Sequence, residues 1–200
     1  MSQLCQNLIQ GCIAPDCSDP IYTGMNSTGY VANFDDVASM TWATSNTVSG
    51  ITMKTDTVNN ESVSRCFYSV QQLGNDPFTG TGSEMTTGTY GNKFNKTVVI
   101  AIPDNSPAAG ALVDSFANGK FVFIGQNDYK KSDGTAKYEL YGAKKGLKAS
   151  SIQREAYGDN DGMWIVTLQE TNSPISSAFF YTTSESATDT ALSALLCDCE

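Results

Sequence analysis

Histidine is absent from the 200-residue chain. That removes Ser-His-Asp and Cys-His pairs, the imidazole general base and every His-ligated metal. Charge is scarce as well: charged side chains make up 16% of the residues, against roughly 25% in soluble domains generally. The charge present leans acidic, with 12 Lys and Arg against 21 Asp and Glu, a net −9. Proteins that grip nucleic acid do so chiefly by neutralising phosphates with Lys and Arg, so this balance argues against such a role. Long apolar runs are also missing. The most apolar stretch, Thr97–Ile102, has the length of a strand and falls far short of a bilayer span. The first 20 residues contain no charged region leading into an apolar segment of signal-peptide length, so synthesis in the cytoplasm without a membrane partner is expected.

Polarity comes instead from 21 Ser, 21 Thr and 14 Asn. Short runs rich in β-branched and aromatic residues alternate with Gly, Asn, Asp and Ser clusters, the pattern of a β protein. Strands are expected at 30–34, 38–43, 50–57, 63–72, 94–102, 120–125, 138–142, 149–155, 163–169 and 178–183. Asp35-Asp36 and the Gly158–Gly162 segment read as turns. One helix is clear at about 106–118. Ser106 supplies an N-cap, Pro107 the first helical position and Gly119 the stop, while Ala109, Leu112, Val113 and Phe116 form an apolar stripe. Residues 1–20 read as an irregular arm and 73–92 as a long polar loop. Residues 184–200 read as a tail, with Leu192, Leu195 and Leu196 marking a short helix. The expected architecture over 1–200 is a single, mainly β domain, a β-sandwich or barrel of about eight or more strands with one flanking helix.

Five of the six cysteines cluster at the ends, at Cys5, Cys12, Cys17, Cys197 and Cys199, with Cys66 alone in the middle. An extended Cys197-Asp198-Cys199 turns both thiols to one face, so each could reach a different N-terminal partner. Free thiols in a reducing compartment, terminal disulfides and a metal site all remain open, although the Cys12/Cys17 and Cys197/Cys199 spacings fit zinc poorly.

Charge is segregated. Residues 120–154 carry eight basic and three acidic residues, a local +5, and the remainder carries four basic and eighteen acidic, a local −14. A basic hairpin in water is one reading. The other is head-to-tail association, with Lys130, Lys131, Lys137, Lys144, Lys145 and Lys148 as a stacking patch. The chemistry-bearing motifs are weak. Asp159-Asn160-Asp161-Gly162 lacks the spacing of a calcium loop. Lys130–Gly134 is a hairpin tip with the favoured Asp-Gly pair. Asp35-Asp36 has no separated second acid for hydrolysis, and Gly80-Thr81-Gly82 lacks the Lys-Ser/Thr ending of a phosphate loop. No catalytic residue, cofactor site or metal site is assigned, and an enzyme is not expected.

The order of elements in the second half carries a resemblance. A helix follows a strand over Asp104–Phe116, then come Gly119–Ile124 and a hairpin. Lys137-Tyr138-Glu139-Leu140-Tyr141-Gly142-Ala143-Lys144-Lys145-Gly146-Leu147 follows, and a turn leads into Gly162–Glu170. With the arm running into Val31–Asp36, this layout resembles the tail tube proteins of tailed bacteriophages, particularly those infecting Bacteroidetes. It covers about two thirds of the chain and leaves out 73–92 and Cys197/Cys199. The resemblance implies a virion protein made in the host cytoplasm. Six copies would join sheets into a ring, and rings would stack into a tube that meets neighbouring tail or connector proteins. DNA would pass along the acidic lumen without specific binding. The inner tube of a contractile injection system or a head–tail connector would share this fold. A different class is a virion-surface or tail-tip β-sandwich that recognises carbohydrate or a receptor.

Overall fold

Alternation along β8 (Lys93–Ile102) explains the architecture. Val98, Ile100 and Ile102 are buried on one face, and the residues between them are half-buried. The computed structural model describes residues 24–58, 61–72, 74–89, 91–154 and 162–197. The N-terminal arm with Cys5, Cys12 and Cys17, the turn residues 158–161, and Cys199 lie outside them.

Among the described residues the chain is mainly β, with thirteen strands and two α-helices. β1 (Met25–Asn33), β2 (Val37–Trp42) and β3 (Thr47–Met53) open the chain, and β4 (Thr55–Val58) pairs with β5 (Glu61–Ser64) in a separate hairpin. After β6 (Tyr68–Gln71) come β7 (Gly82–Thr86), β8, helix α1 (Pro107–Asn118), β9 (Phe121–Asn127), β10 (Tyr138–Tyr141) and β11 (Lys148–Arg154). β12 (Trp164–Ser173), β13 (Phe179–Phe180) and helix α2 (Glu185–Ser193) complete it. Seven strands form one sheet in the order β2-β3-β13-β10-β9-β1-β6, and four form a second, β11-β12-β8-β7. Only β13 with β3 runs parallel among these pairs. The result is a β-sandwich.

β9 reads Phe-Val-Phe-Ile without polar alternation because both its faces are covered. Phe121 and Phe123 enter the cluster between the sheets with Val98, Ile100, Val166 and Leu168. Val122 and Ile124 enter a second cluster on the opposite face, with Val48, Leu140, Phe180 and Leu192 of α2. Each such fully buried side chain contributes about 1.5–3 kcal/mol relative to exposure. Helix α1 starts as its sequence predicts: Ser106 caps it, its Oγ accepting from the Ala109 N–H at 3.2 Å. Ala109, Val113 and Phe116 are buried against the sandwich, and the Phe116 ring lies 4.9 Å from that of Phe121.

Four expectations need correction. The 73–92 segment is not a simple loop. It contains β7, paired antiparallel to β8, and Phe78, which is 3% exposed with its ring 5.2 Å from that of Phe123. β7 is an edge strand exposed on both faces, so it carries no apolar alternation to betray it. The run 63–72 divides between two sheets, since β5 pairs with β4 and β6 with β1. The run 50–57 likewise divides into β3 and β4. Leu112, read as part of the buried helix stripe, is 48% exposed.

Candidate functional site

The positive block of 120–154 is split by the fold. Helix α2 begins at Ser184, whose Oγ accepts from the Ala187 N–H at 3.2 Å, and presents Glu185 and Asp189 one turn apart on one face. Lys137 Nζ donates to both Asp189 carboxylate oxygens at 2.8 Å and to Glu185 Oε1 at 3.1 Å. Lys130 Nζ reaches Glu185 Oε1 at 2.9 Å. The Tyr138 hydroxyl donates to Asp189 Oδ1 at 2.8 Å. Burial opposes the charge on Lys137, but the hydrogen bonds to Asp189 and Glu185 outweigh it and hold the ammonium above the usual lysine range. Burial, then the bond to Asp189, pushes the Tyr138 phenol up to about 12. Lys131 pairs locally with Asp133 at 3.4 Å in the hairpin tip. Three of the six lysines expected to form a stacking patch are therefore matched by acids of their own chain.

The other three converge elsewhere. The turn after β10 is built on Gly142 and Gly146, with φ of 78° and 75°, a region open to glycine at no steric cost. Leu147 and Phe121 exchange backbone hydrogen bonds at 2.7 and 2.8 Å, locking this turn to the head of β9. Lys144, Lys145 and Lys148 then join Lys120 around a cleft of about 650 Å³ whose wall includes Phe34 and Asn172 and, among the described residues, no acid. Lys144 Nζ stands 3.4 Å from the centre of the Trp42 ring and Lys120 Nζ 4.4 Å from that of Phe34. These contacts hold the side-chain nitrogens over aromatic faces.

A second cleft, of about 620 Å³, is lined by Asp76, Asp128 and Glu139 and, among the described residues, has no basic side chain in its wall. Glu139 is held above the usual carboxylate range, chiefly by burial. The two clefts lie at opposite ends of β9. Lys120 immediately precedes it, and Asn127 and Asp128, at its other end, line the acidic cleft. Seven strand residues separate the two by about 20 Å. A lysine-lined cleft and a carboxylate-lined cleft thus lie at opposite ends of β9.

Among the described residues, both sheets end in strands with one neighbour: β2 and β6 in the larger, β7 and β11 in the smaller. Beside β6 runs an apolar groove lined by Val31, Tyr68, Val70, Ile100, Ile102 and Leu112. Tyr68 is 56% exposed there and Leu112 48%.

The cysteines also depart from expectation. Cys197, which one of the three open readings tied to an N-terminal partner, is disulfide-bonded to Cys66, with Cα atoms 5.2 Å apart. The backbone aligns them: the Phe67 N–H donates to Leu195 O at 2.8 Å and the Cys197 N–H to Phe67 O at 2.9 Å. Cys66 was indistinguishable in sequence from a buried strand thiol, since its partner is 131 residues away. Lys120 stood in the basic block but outside the expected patch. Among the described residues, no three His, Cys, Asp or Glu side chains converge to hold a metal, and no helix is long and apolar enough to cross a membrane.

Compared with models of protein families, with curated proteins and with solved structures, the chain matches none.

Proposed function

We propose that this chain is a self-assembling structural subunit of a phage tail tube. Copies join side by side through open sheet edges into a ring, and rings stack head to tail into a channel for DNA. The observation that carries this reading is the opposed pair of clefts, lysine-lined at one end of β9 and carboxylate-lined at the other. Such polarity suits an interface in which unlike surfaces meet and the assembly propagates in one direction. The unpaired edges of β6 and β2, and the apolar groove beside β6, supply lateral contacts that a monomer would leave exposed. Six copies per ring is what the resemblance to tail tube proteins implies. A net charge of −9 lets a polyanion pass unheld. The Cys66–Cys197 disulfide suits a particle that is assembled in a reducing cell and works outside it.

A second reading rests on the lysine cleft with Phe34 in its wall. It would serve a virion-surface module that binds an acidic saccharide or receptor. Negative-stain microscopy and sedimentation across a concentration series separate the two. Sixfold rings or filaments that loosen as salt rises support the tube. A strict monomer at every concentration that binds acidic glycans overturns it in favour of the module.

A further inference from the structure

Lys96 occupies a core-facing position of β8, in line with Val98, Ile100 and Ile102. Its cross-strand partner is Glu170 of β12, matched Cα to Cα. Their side chains are 1% and 0% exposed, with Nζ 3.8 Å from Oε2. Among the described residues, neither of those two atoms has a hydrogen-bond partner. The other oxygen is held: Glu170 Oε1 accepts from the Lys145 backbone N–H at 2.9 Å. A second carboxyl, the half-buried Glu139 of the acidic cleft, acts on Lys96 electrostatically.

This is a poor ion pair. Buried charges normally carry a full set of hydrogen bonds, because desolvation outweighs unassisted attraction. Burial lowers the lysine's proton affinity, opposed by Glu170 and then Glu139, while Lys144 adds to the lowering. A proton passed across the gap would turn the pair into an amine facing a carboxylic acid, both side chains fully buried. Those are the reactants of an amide.

We propose that Lys96 and Glu170 join autocatalytically in an intramolecular isopeptide bond that crosslinks β8 to β12. The Nζ lone pair attacks Glu170 Cδ, and the Cδ–Nζ bond forms. Charge developing on Oε1 is met by the Lys145 N–H, placed as an oxyanion donor. Glu139 takes one proton from Nζ and returns it to the Oε2 hydroxyl, which leaves as water. One amine and one acid give one amide and one water, and no oxidant or other reactant enters. The product replaces two desolvated charges with one neutral group and ties together the central strands of the smaller sheet. In a particle exposed to proteases and mechanical load, such a tie resists unfolding without depending on redox conditions.

The test is the intact mass of the full-length protein under reducing conditions, with N-terminal processing read from the peptide map. The expected mass is lower than the sequence mass by one water. Residues 155–200 contain no Lys or Arg, so trypsin should release one branched peptide joining 94–120 to 155–200, uncut at Lys96. Lys96→Met and Glu170→Ala should each show the full sequence mass, and Glu139→Gln should accumulate uncrosslinked chain. A wild-type mass equal to the sequence mass after prolonged incubation overturns the proposal. So does water lost elsewhere, such as a succinimide at Asp133-Gly134, without the branched peptide. The wild-type measurement does not depend on whether any variant folds.

Discussion

Lys137 and Asp189 are joined by two 2.8 Å hydrogen bonds, so the helix near the C-terminal end clamps the loop between β9 and β10. The contact explains why a lysine block that looks free in sequence is half spent within the subunit. The Asp189 carboxylate is held below its ordinary 3.8: burial raises it, and hydrogen bonds from Lys137 and Tyr138 more than offset that. A carboxylate depressed in the folded state adds stability above its unfolded value and loses it as pH falls through the folded one.

Acid should therefore weaken this clamp from about pH 4 downward. Asp189 is 43% exposed, so solvent limits the effect to less than about 1 kcal/mol. At pH 7 the Asp189→Asn variant should melt about 2–4 °C below wild type at most, and the gap should close by pH 2–3. A gap that is unchanged at low pH would show that the charge of Asp189 has no part in the clamp. Thermal melts followed by circular dichroism across pH are the measurement.

Breaking the Cys66–Cys197 bond should cost about 2–5 kcal/mol, because the loop it closes is long. The Cys66→Ser/Cys197→Ser double variant and reduced wild type should agree in denaturant midpoint, both below oxidised wild type. Urea unfolding with and without reductant checks this.

Reversing the lysine-lined cleft, by Lys144→Glu with Lys145→Glu, should weaken stacking at least about tenfold while leaving ring formation intact. Adding Asp76→Lys and Asp128→Lys to the same chain inverts both clefts and should restore stacks. Sedimentation at low and high salt reads both outcomes. Failure of the fourfold variant to restack would place the axial contact away from these clefts.

Lateral association should depend on the groove beside β6. Tyr68→Asp with Leu112→Asp removes its exposed apolar surface, each side chain being about half exposed already. Folding stability should change by no more than about 0.5 kcal/mol per site, whereas rings should give way to monomers under negative stain. Rings that persist would assign the lateral contact to another edge.

Much of the strand content was legible because burial on one face imposes a period of two, as at Val98, Ile100 and Ile102. The cap at Ser106, with Pro107 after it, marked α1 for an equally local reason. β7 was not legible, since a strand exposed on both faces has no pattern to read. The period of β8 already puts Lys96 on the face of Val98, Ile100 and Ile102, but its cross-strand partner was not legible: only the pairing of β8 with β12 sets Glu170 opposite it.

The chain with no histidine, little charge and a divided charge distribution determined by itself a β-rich fold, a capped mid-chain helix and a polarity of charge along the sequence. These follow from backbone preferences and periodicity, which act over a few residues. Tertiary structure alone decided which lysines stay unmatched, that Cys66 rather than an N-terminal thiol meets Cys197, and that Lys96 is shut in with Glu170. Each depends on residues tens to more than a hundred positions apart being brought within a few ångströms, and that is fixed by sheet order and packing rather than by any local pattern.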